Sequence, residues 1–527
     1  MRLATLVTLS LLPTMAQAQF GRSSWTTFGG DPQRTGWNRT ENELSAENVT
    51  SLKLEWSVKL DSQPKELTGP TAPLVRATMA TPRGVKDLVV VAGAADRVFV
   101  VDGDTGKIYW QKKLTVEGTP ERGETWLCPN ALNATPAIGP APRTGSGIGG
   151  SGMGGQALYV VASDGKLHVF NLVSGEDLLP PVPFVPPFAK AWSLNLASSV
   201  LYATTSQGCN GVKSGVYGID LSDPNHKTAF FQTGTTGSGI WGRAGAAIAS
   251  DGKIIVETGD GPNDAAKGFL SDSVIGISPK DLKLADYFTP ANRSWITKKD
   301  LDMGSIGPTV FRYKNWELAA AAGKEGVIFL LDTRSLGGAD HRTPLYRSPL
   351  YTNEEVNFAT KGFWGAFSTW EDPSGTRWLY APAWGPPTSK TQFPIQYGET
   401  ANGSVMAFKV ELRDDKPALT PAWNSVDMSV PTPVVIANGL VFAMSDGDYA
   451  PQFGAGGNLL NTQQRKATTG HSVIYALDAA TGKALFSSGD TIKGFSHFSA
   501  PAVAGGRVYT VTHDGTLYAF GLGIPQP

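Results

Sequence analysis

One short phrase recurs along the chain: a run of apolar residues, an Asp or its stand-in, then a turn. It reads VFVVDGDTGKIYW at residues 98–110 and VIYALDAATGKALF at residues 473–486. Weaker copies are LHVFNLVSGE from Leu167, VYGIDLSD from Val216, VIGISPKD from Val274, VIFLLDTRS from Val327, VMAFKVEL from Val405 and LYAFG from Leu517. Repetition on this scale constrains the fold before any other motif is considered. Each copy is one supersecondary unit that does not bury its own apolar surface and must stack on its neighbours.

Between the copies the pattern is strand-like. ATPAI, ALYVVAS and KLHVFNL, between residues 134 and 172, are short runs rich in β-branched and aromatic residues, broken by turn signals such as Asp164-Gly165. The last unit offers three strands, SAPAVA, GRVYTVT and TLYAFG, whereas a propeller blade needs four. The missing strand is at the other end of the chain, in LKLEWSVKL from Leu52 to Leu60, where Trp56 takes the place that Trp110 has in the best repeat. These patterns predict an all-β chain: an eight-bladed β-propeller of four-stranded antiparallel blades over residues 50–522. The N-terminal strand Leu52-Leu60 completes the last blade and removes the open sheet edges.

Within the phrase, Asp102 is placed to accept backbone hydrogen bonds and Gly106 to supply a positive φ. Trp110 then lands on an outer strand, where a flat indole packs between blades. Asp478, Gly482 and Phe486 repeat the device. Long Gly-rich or polar excursions at residues 139–156, 384–403 and 446–471 are the expected binding loops.

The first residues read as a secretory signal. Arg2 is followed by an apolar core and an Ala16-Gln17-Ala18 cleavage site. This divides the chain into a signal peptide at 1–18, an N-terminal extension at 19–49, the propeller, and a tail at 523–527. No later stretch is long and apolar enough to span a bilayer, so the expected location is periplasmic or secreted. A net charge of −1 without a basic run argues against a nucleic-acid partner. The two cysteines, Cys128 and Cys209, are free to pair in an oxidising compartment or to remain buried thiols. Neither lies in a C-x-x-C-H haem motif. The six histidines lack metal-ligand spacing.

With its docking tryptophans, the repeat resembles the pyrroloquinoline quinone (PQQ) β-propeller superfamily. That group contains quinoprotein alcohol dehydrogenases, polyvinyl-alcohol dehydrogenase-like proteins and non-enzymatic outer-membrane assembly lipoproteins. The dehydrogenases stack PQQ on a Trp in a phrase like N-W-G-W, and GSGIWGRAG places Trp241 there. Where they have G-T-G-N with a Ca²⁺-binding Asn, this chain has Thr258-Gly259-Asp260-Gly261, and Asp is also a hard oxygen ligand. Their catalytic Asp corresponds to the region Asp300-Leu301-Asp302, and AGKEGVIFLLD puts Lys324 where a cation meets the quinone oxygens. Trp364 and Trp384 are candidate walls of the same funnel.

Two features depart from the resemblance. The dehydrogenases carry adjacent cysteines over the PQQ plane, but here only Cys128 is present in Trp126-Leu127-Cys128-Pro129. Their third-blade Glu ligand is replaced by Cys209, which lowers the ligand charge available to Ca²⁺. A Cys128–Cys209 disulfide would be a substitute clasp. The resemblance implies an exported PQQ-dependent alcohol or sugar dehydrogenase. Asp302 would be its general base and a metal ligand with Asp260; Trp241, Lys324, Trp364 and Trp384 would surround the cofactor. It would use PQQ and Ca²⁺ but no haem, and would pass electrons to a separate acceptor such as a cytochrome. The competing expectation is a non-catalytic periplasmic scaffold like the assembly lipoproteins, with Trp241 serving as core, Asp260 in a local turn and Lys324 solvated.

Overall fold

Each recurring phrase becomes the third strand of a four-stranded blade, and eight blades close into a ring. The computed structural model describes residues 22–142, 155–234, 237–448 and 451–523. The expected signal at 1–18 and most of the 139–156 insertion lie outside them.

Blade 1 is Leu74–Thr81, Gly84–Gly93, Arg97–Asp102 and Ile108–Lys113. Blade 2 runs from Ala137–Pro140 to Asp177–Pro183 and blade 3 from Asn195–Ala197 to Thr228–Gln232. Blade 4 runs from Ala247–Ile248 to Leu284–Phe288 and blade 5 from Thr309–Tyr313 to Tyr346–Arg347. Blade 6 runs from Ser368–Glu371 to Lys416–Asn424 and blade 7 from Val435–Ala437 to Ala484–Ser487. Blade 8 takes Ala502–Ala504, Arg507–Val511 and Thr516–Gly521 from the C-terminal end. Its outer strand is Lys53–Lys59, antiparallel to the last of these with Lys53 opposite Gly521 and Lys59 opposite Thr516. The ring therefore closes as the repeat count requires.

The middle strands are apolar on both faces because each blade is sandwiched between two others. In blade 1 every residue from Leu88 to Ala92 is buried, whereas the outer strand Ile108–Lys113 is largely exposed. Three indoles join neighbouring blades in one geometry. The Nε1 of Trp56 donates to Gly103 O at 2.9 Å, that of Trp110 to Leu172 O at 2.9 Å, and that of Trp423 to Ala479 O at 3.0 Å. Each ring lies on the turn glycine of the next blade. A Cβ on Gly106 would sit 2.7 Å from the Trp56 ring, and one on Gly482 2.4 Å from that of Trp423. The glycine is needed for its positive φ and for this close approach.

The N-terminal extension circles the base of the ring and touches all eight blades in their order. Trp25 exchanges backbone bonds with Val75, both 2.8 Å, and the carbonyl of Thr26 accepts from Ile138 N. Thr27 Oγ1 donates to Leu194 O at 3.1 Å. The carbonyls of Pro32, Gln33, Thr35 and Gly36 accept from the amides of Ile248, Val310, Thr369 and Ile436, the inner strands of blades 4 to 7. Asn38 Nδ2 donates to Val503 O in blade 8 at 2.8 Å. On the axis, the buried Arg34 guanidinium donates to the carbonyls of Phe28, Leu194 and Ala246 and to Thr27 Oγ1. Phe28 packs against Ala72, Ala244, Ala366 and Ala500. One end of the channel is thereby plugged, and the opposite end is left to hold a ligand.

Candidate functional site

The open end holds a cavity of about 780 Å³, lined from every side of the ring. Its wall includes Trp241, Asp260, Asp300, Asp302, Lys324, Trp364 and Trp384. All the residues expected to surround a cofactor or a metal thus converge on one axial space. A second cleft of about 630 Å³ lies at Asp96 and Lys65; there Asp96 already accepts from Ser163 and Lys65 is paired with Glu124.

Local geometry explains the convergence. The helix Arg293–Lys299 ends at Asp300, which takes a left-handed conformation (φ 56°) that short polar residues tolerate. Two residues on, Asp302 turns the chain into the inner face of blade 5. Lys324 follows the inner strand Trp316–Ala322, and its amide bonds to Asp302 O at 3.1 Å. The Trp241 edge is wedged between two glycines: a Cβ on Gly259 or Gly304 would lie 2.8 Å from its Nε1.

The three hydrogens of the Lys324 ammonium are all engaged, by Asp302 Oδ2 at 3.1 Å, Asp300 Oδ1 at 3.2 Å and Asp300 O at 3.1 Å. The ammonium also lies 5.3 Å from the ring centres of both Trp241 and Trp364. Burial works against its charge, but Asp302 and Asp300 outweigh burial and hold the pKa above the ordinary lysine value. The other Asp302 oxygen accepts from the Asp260 amide at 3.2 Å. Burial, then repulsion from Asp302, raises the Asp260 carboxyl. Behind them the buried Asp272 bonds to Thr297 Oγ1 and Met303 N and is pushed up to about 7 by burial and by Asp302.

Trp364 and Trp384 are both buried and stack face to face, 4.3 Å apart and 7° from parallel. Trp364 meets Trp241 edge-on at 5.5 Å. These two rings back Trp241, which is the partly exposed member of the group. The sulfurs of Cys128 and Cys209 are bonded, tying the connection after blade 1 to blade 3 at the cavity mouth, where Leu127, Gln207 and Gly208 form the wall.

Asp260 and Asp302 are adjacent, as a shared metal would need. However, no group of three or more His, Cys, Asp or Glu side chains is placed to hold a metal ion among the described residues. Both Asp302 oxygens face protein donors. The carboxylates as arranged do not fit Ca²⁺, which prefers six to eight oxygen ligands. A planar, anionic aromatic group fits better, given the exposed Trp241 face and further cations on the same wall. Sequence reading missed those cations, Lys190, Arg243 and Arg465, with their aromatic neighbours Trp192 and Phe498. The signal for Lys190 and Arg243 was a basic residue within two positions of an aromatic at a blade start, as in Lys190-Ala-Trp192 and Trp241-Gly-Arg243.

Fold and site together define an eight-bladed propeller with a cofactor-sized, aromatic and charged cavity at the open end of its axis. More narrowly, residues 25–128 match the family described as glucose/ethanol/alcohol dehydrogenase, beta-propeller domain. No curated protein matches the chain in sequence. Among solved structures it is similar to a europium-containing methanol dehydrogenase (13% identity, 94% of this chain and 89% of that one, TM-score 0.57). It is also similar to the quinohemoprotein alcohol dehydrogenase of Comamonas testosteroni (14%, 96% and 81%, 0.55) and to ADHIIG of Pseudomonas putida HK5 (14%, 96% and 82%, 0.59). At these identities the likeness establishes the fold. No helix among the described residues is long and apolar enough to cross a membrane.

Proposed function

We propose that the protein is an exported quinoprotein that binds PQQ in the axial cavity and oxidises an alcohol or sugar in the periplasm or outside the cell. The observation that carries this reading is the meeting of Trp241, Asp302 and Lys324 in one cavity. When bound, PQQ supplies a two-electron acceptor, converting a carbinol into a carbonyl. Trp241 offers the flat face on which the ring system rests. Asp302 takes the proton from the substrate hydroxyl as general base. Lys324 holds that carboxylate in place and balances its charge. A ligand oxygen gains one of the ammonium's hydrogens by displacing the half-exposed Asp300 contact, leaving the buried Asp302 contact intact. The Trp364–Trp384 stack and the disulfide-bound mouth keep the walls rigid and limit water. Asp260 and Asp302 are the carboxylates a divalent ion would have to use, and no step here runs through one. With no C-x-x-C-H phrase in the sequence, electrons leave through a separate carrier such as a cytochrome.

The test is titration of the purified protein with PQQ, with and without Ca²⁺, reading quinone absorbance and alcohol-dependent dye reduction. Micromolar binding is expected, with turnover lost in Asp302→Asn while binding persists. Absence of binding under both conditions overturns the reading and leaves a non-catalytic binding propeller.

A further inference from the structure

The cavity has a second charged pole that the proposed chemistry does not use. Lys190 opens blade 3 and is only 9% exposed, yet no carboxylate or carbonyl accepts from its ammonium among the described residues; its one close partner is the Trp192 ring, 5.3 Å away. Arg243 stands on the same floor, its guanidinium 4.8 Å from the Trp192 ring and 4.1 Å from that of Phe498. It too has no hydrogen-bond acceptor among the described residues. Arg465 reaches in from the long loop of blade 7, over Trp126 at 5.2 Å and 3.7 Å from Asp448. The Asp448 carboxylate already bonds to His497 Nδ1 at 2.6 Å.

Three cations therefore meet at a largely desolvated floor with two acidic side chains: Asp448, whose Oδ2 is shared by His497 and Arg465, and the buried Asp446, which burial and then Asp448 hold well above the ordinary carboxylate value. Uncompensated buried charge is costly and is retained where something pairs with it. Aromatic faces lessen the cost but satisfy none of the hydrogen-bond donors. Burial together with Arg243 and Arg465 lowers the Lys190 pKa to about 7, a strain that an incoming anion relieves. Below this floor lie Phe28 and the N-terminal plug, and above it Lys190 and Arg243 line the cavity.

We infer that Lys190 and Arg243, on the floor of Trp192 and Phe498, form an anion subsite that takes a carboxylate of the ligand in this cavity. Trp241 is two residues from Arg243 and lies under the Lys324 ammonium, so it links this pole to Asp302. The matching ligand has a flat apolar body with a carboxylate at the end away from the reacting carbon. Under the proposed function, on which the choice of probes rests, the carboxylate belongs either to PQQ or to an acid-bearing alcohol substrate.

The test uses the full chain and its Lys190→Gln and Arg243→Gln variants. Binding of PQQ, of its neutral trimethyl ester and of 4-(hydroxymethyl)benzoate is measured by calorimetry. Dye reduction is measured with 4-(hydroxymethyl)benzoate and with benzyl alcohol. If the carboxylate is the cofactor's, each variant weakens PQQ binding at least tenfold and leaves ester binding unchanged. If it is the substrate's, PQQ binding holds while KM for the benzoate rises at least tenfold and that for benzyl alcohol stays. Should wild type fail to bind PQQ yet bind the benzoate through Lys190 and Arg243, the quinone reading fails and the subsite stands. The inference is overturned if the variants match wild type with every probe, or if wild type binds no carboxylate probe.

Discussion

Replacing Lys324 with Met isolates the interaction on which the proposed site depends. The ammonium contacts Asp302 and Asp300 at nearly equal distances, 3.1 and 3.2 Å, but the Asp302 side chain is 6% exposed and that of Asp300 52%. Coulomb's law at equal distance makes the surroundings decide the energy. Lys324→Met leaves Asp302 with one backbone donor, the Asp260 amide. Removing one partner of a buried pair costs about 3–5 kcal/mol, largely because the other charge is left unpaired. Asp302→Asn is expected to cost a similar amount. Asp300→Asn removes an exposed partner and is expected to cost about 1 kcal/mol or less. The double variant Asp302→Asn/Lys324→Met leaves no orphan charge, so its loss should fall well below the sum of the singles.

Urea unfolding followed by tryptophan fluorescence reads all four, at matched pH and ionic strength. Two results would refute the reasoning: Asp300→Asn as damaging as Asp302→Asn, or additive single effects in the double variant. Either would mean that Lys324 is solvated and that Asp302 is not held by a desolvated cation. The quinoprotein reading would then lose its positioned base.

Three further outcomes follow from the same structure. His497 and His513 are buried and held neutral, both lowered to about 4 chiefly by burial. The unfolded chain takes up protons below the ordinary value of 6.5, so stability should fall as pH drops from about 6.5 to 4; His497→Gln should flatten that slope in denaturation midpoints. Lys190 is likewise depressed, so between pH 7 and 10.5 the unfolded state holds the extra proton and stability should rise with pH. Over the same window affinity for a carboxylate ligand should fall as the ammonium deprotonates, and both trends should vanish in Lys190→Gln by calorimetry. Arg34→Met strands the buried Phe28 carbonyl at the base of the ring and takes one donor from those of Leu194 and Ala246, which keep Thr27 Oγ1 and Asn195 Nδ2; about 1–3 kcal/mol should disappear from the unfolding free energy measured in urea.

The scaffold was almost wholly legible in the sequence because its determinants are local and repeated. An apolar strand of period two, a turn glycine and a docking indole each act within one blade or on the next. Trp56 foretold ring closure because it occupies the position that Trp110 holds in blade 1. The N-terminal belt was not legible. Most of its contacts run through backbone carbonyls of residues 25 to 36, which carry no side-chain signature. Trp364 and Trp384 both stand on the cavity wall, and their stacking on each other comes from strand pairing within blade 6, where Gly362 lies opposite Trp384.

The same distinction explains why the site was only half visible. Asp302 and Lys324 were reached through the resemblance to the dehydrogenases, in Asp300-Leu301-Asp302 and in the Gly-Lys-Glu-Gly turn before a copy of the repeat. Lys190 and Arg243 sit beside aromatics at blade starts, in Lys190-Ala-Trp192 and Trp241-Gly-Arg243. A propeller places every blade start around one axis, so charges some fifty residues apart in sequence become neighbours. The three indole clamps join blades 8 to 1, 1 to 2 and 6 to 7, whereas the walls bearing Lys190, Arg243, Asp302 and Lys324 belong to blades 3, 4 and 5. There the space between blade starts is given to charge and to Trp241. Where the repeat is strict the ring holds itself together, and where it lapses the axis carries Lys190 and Arg243, whose donors are left for a ligand.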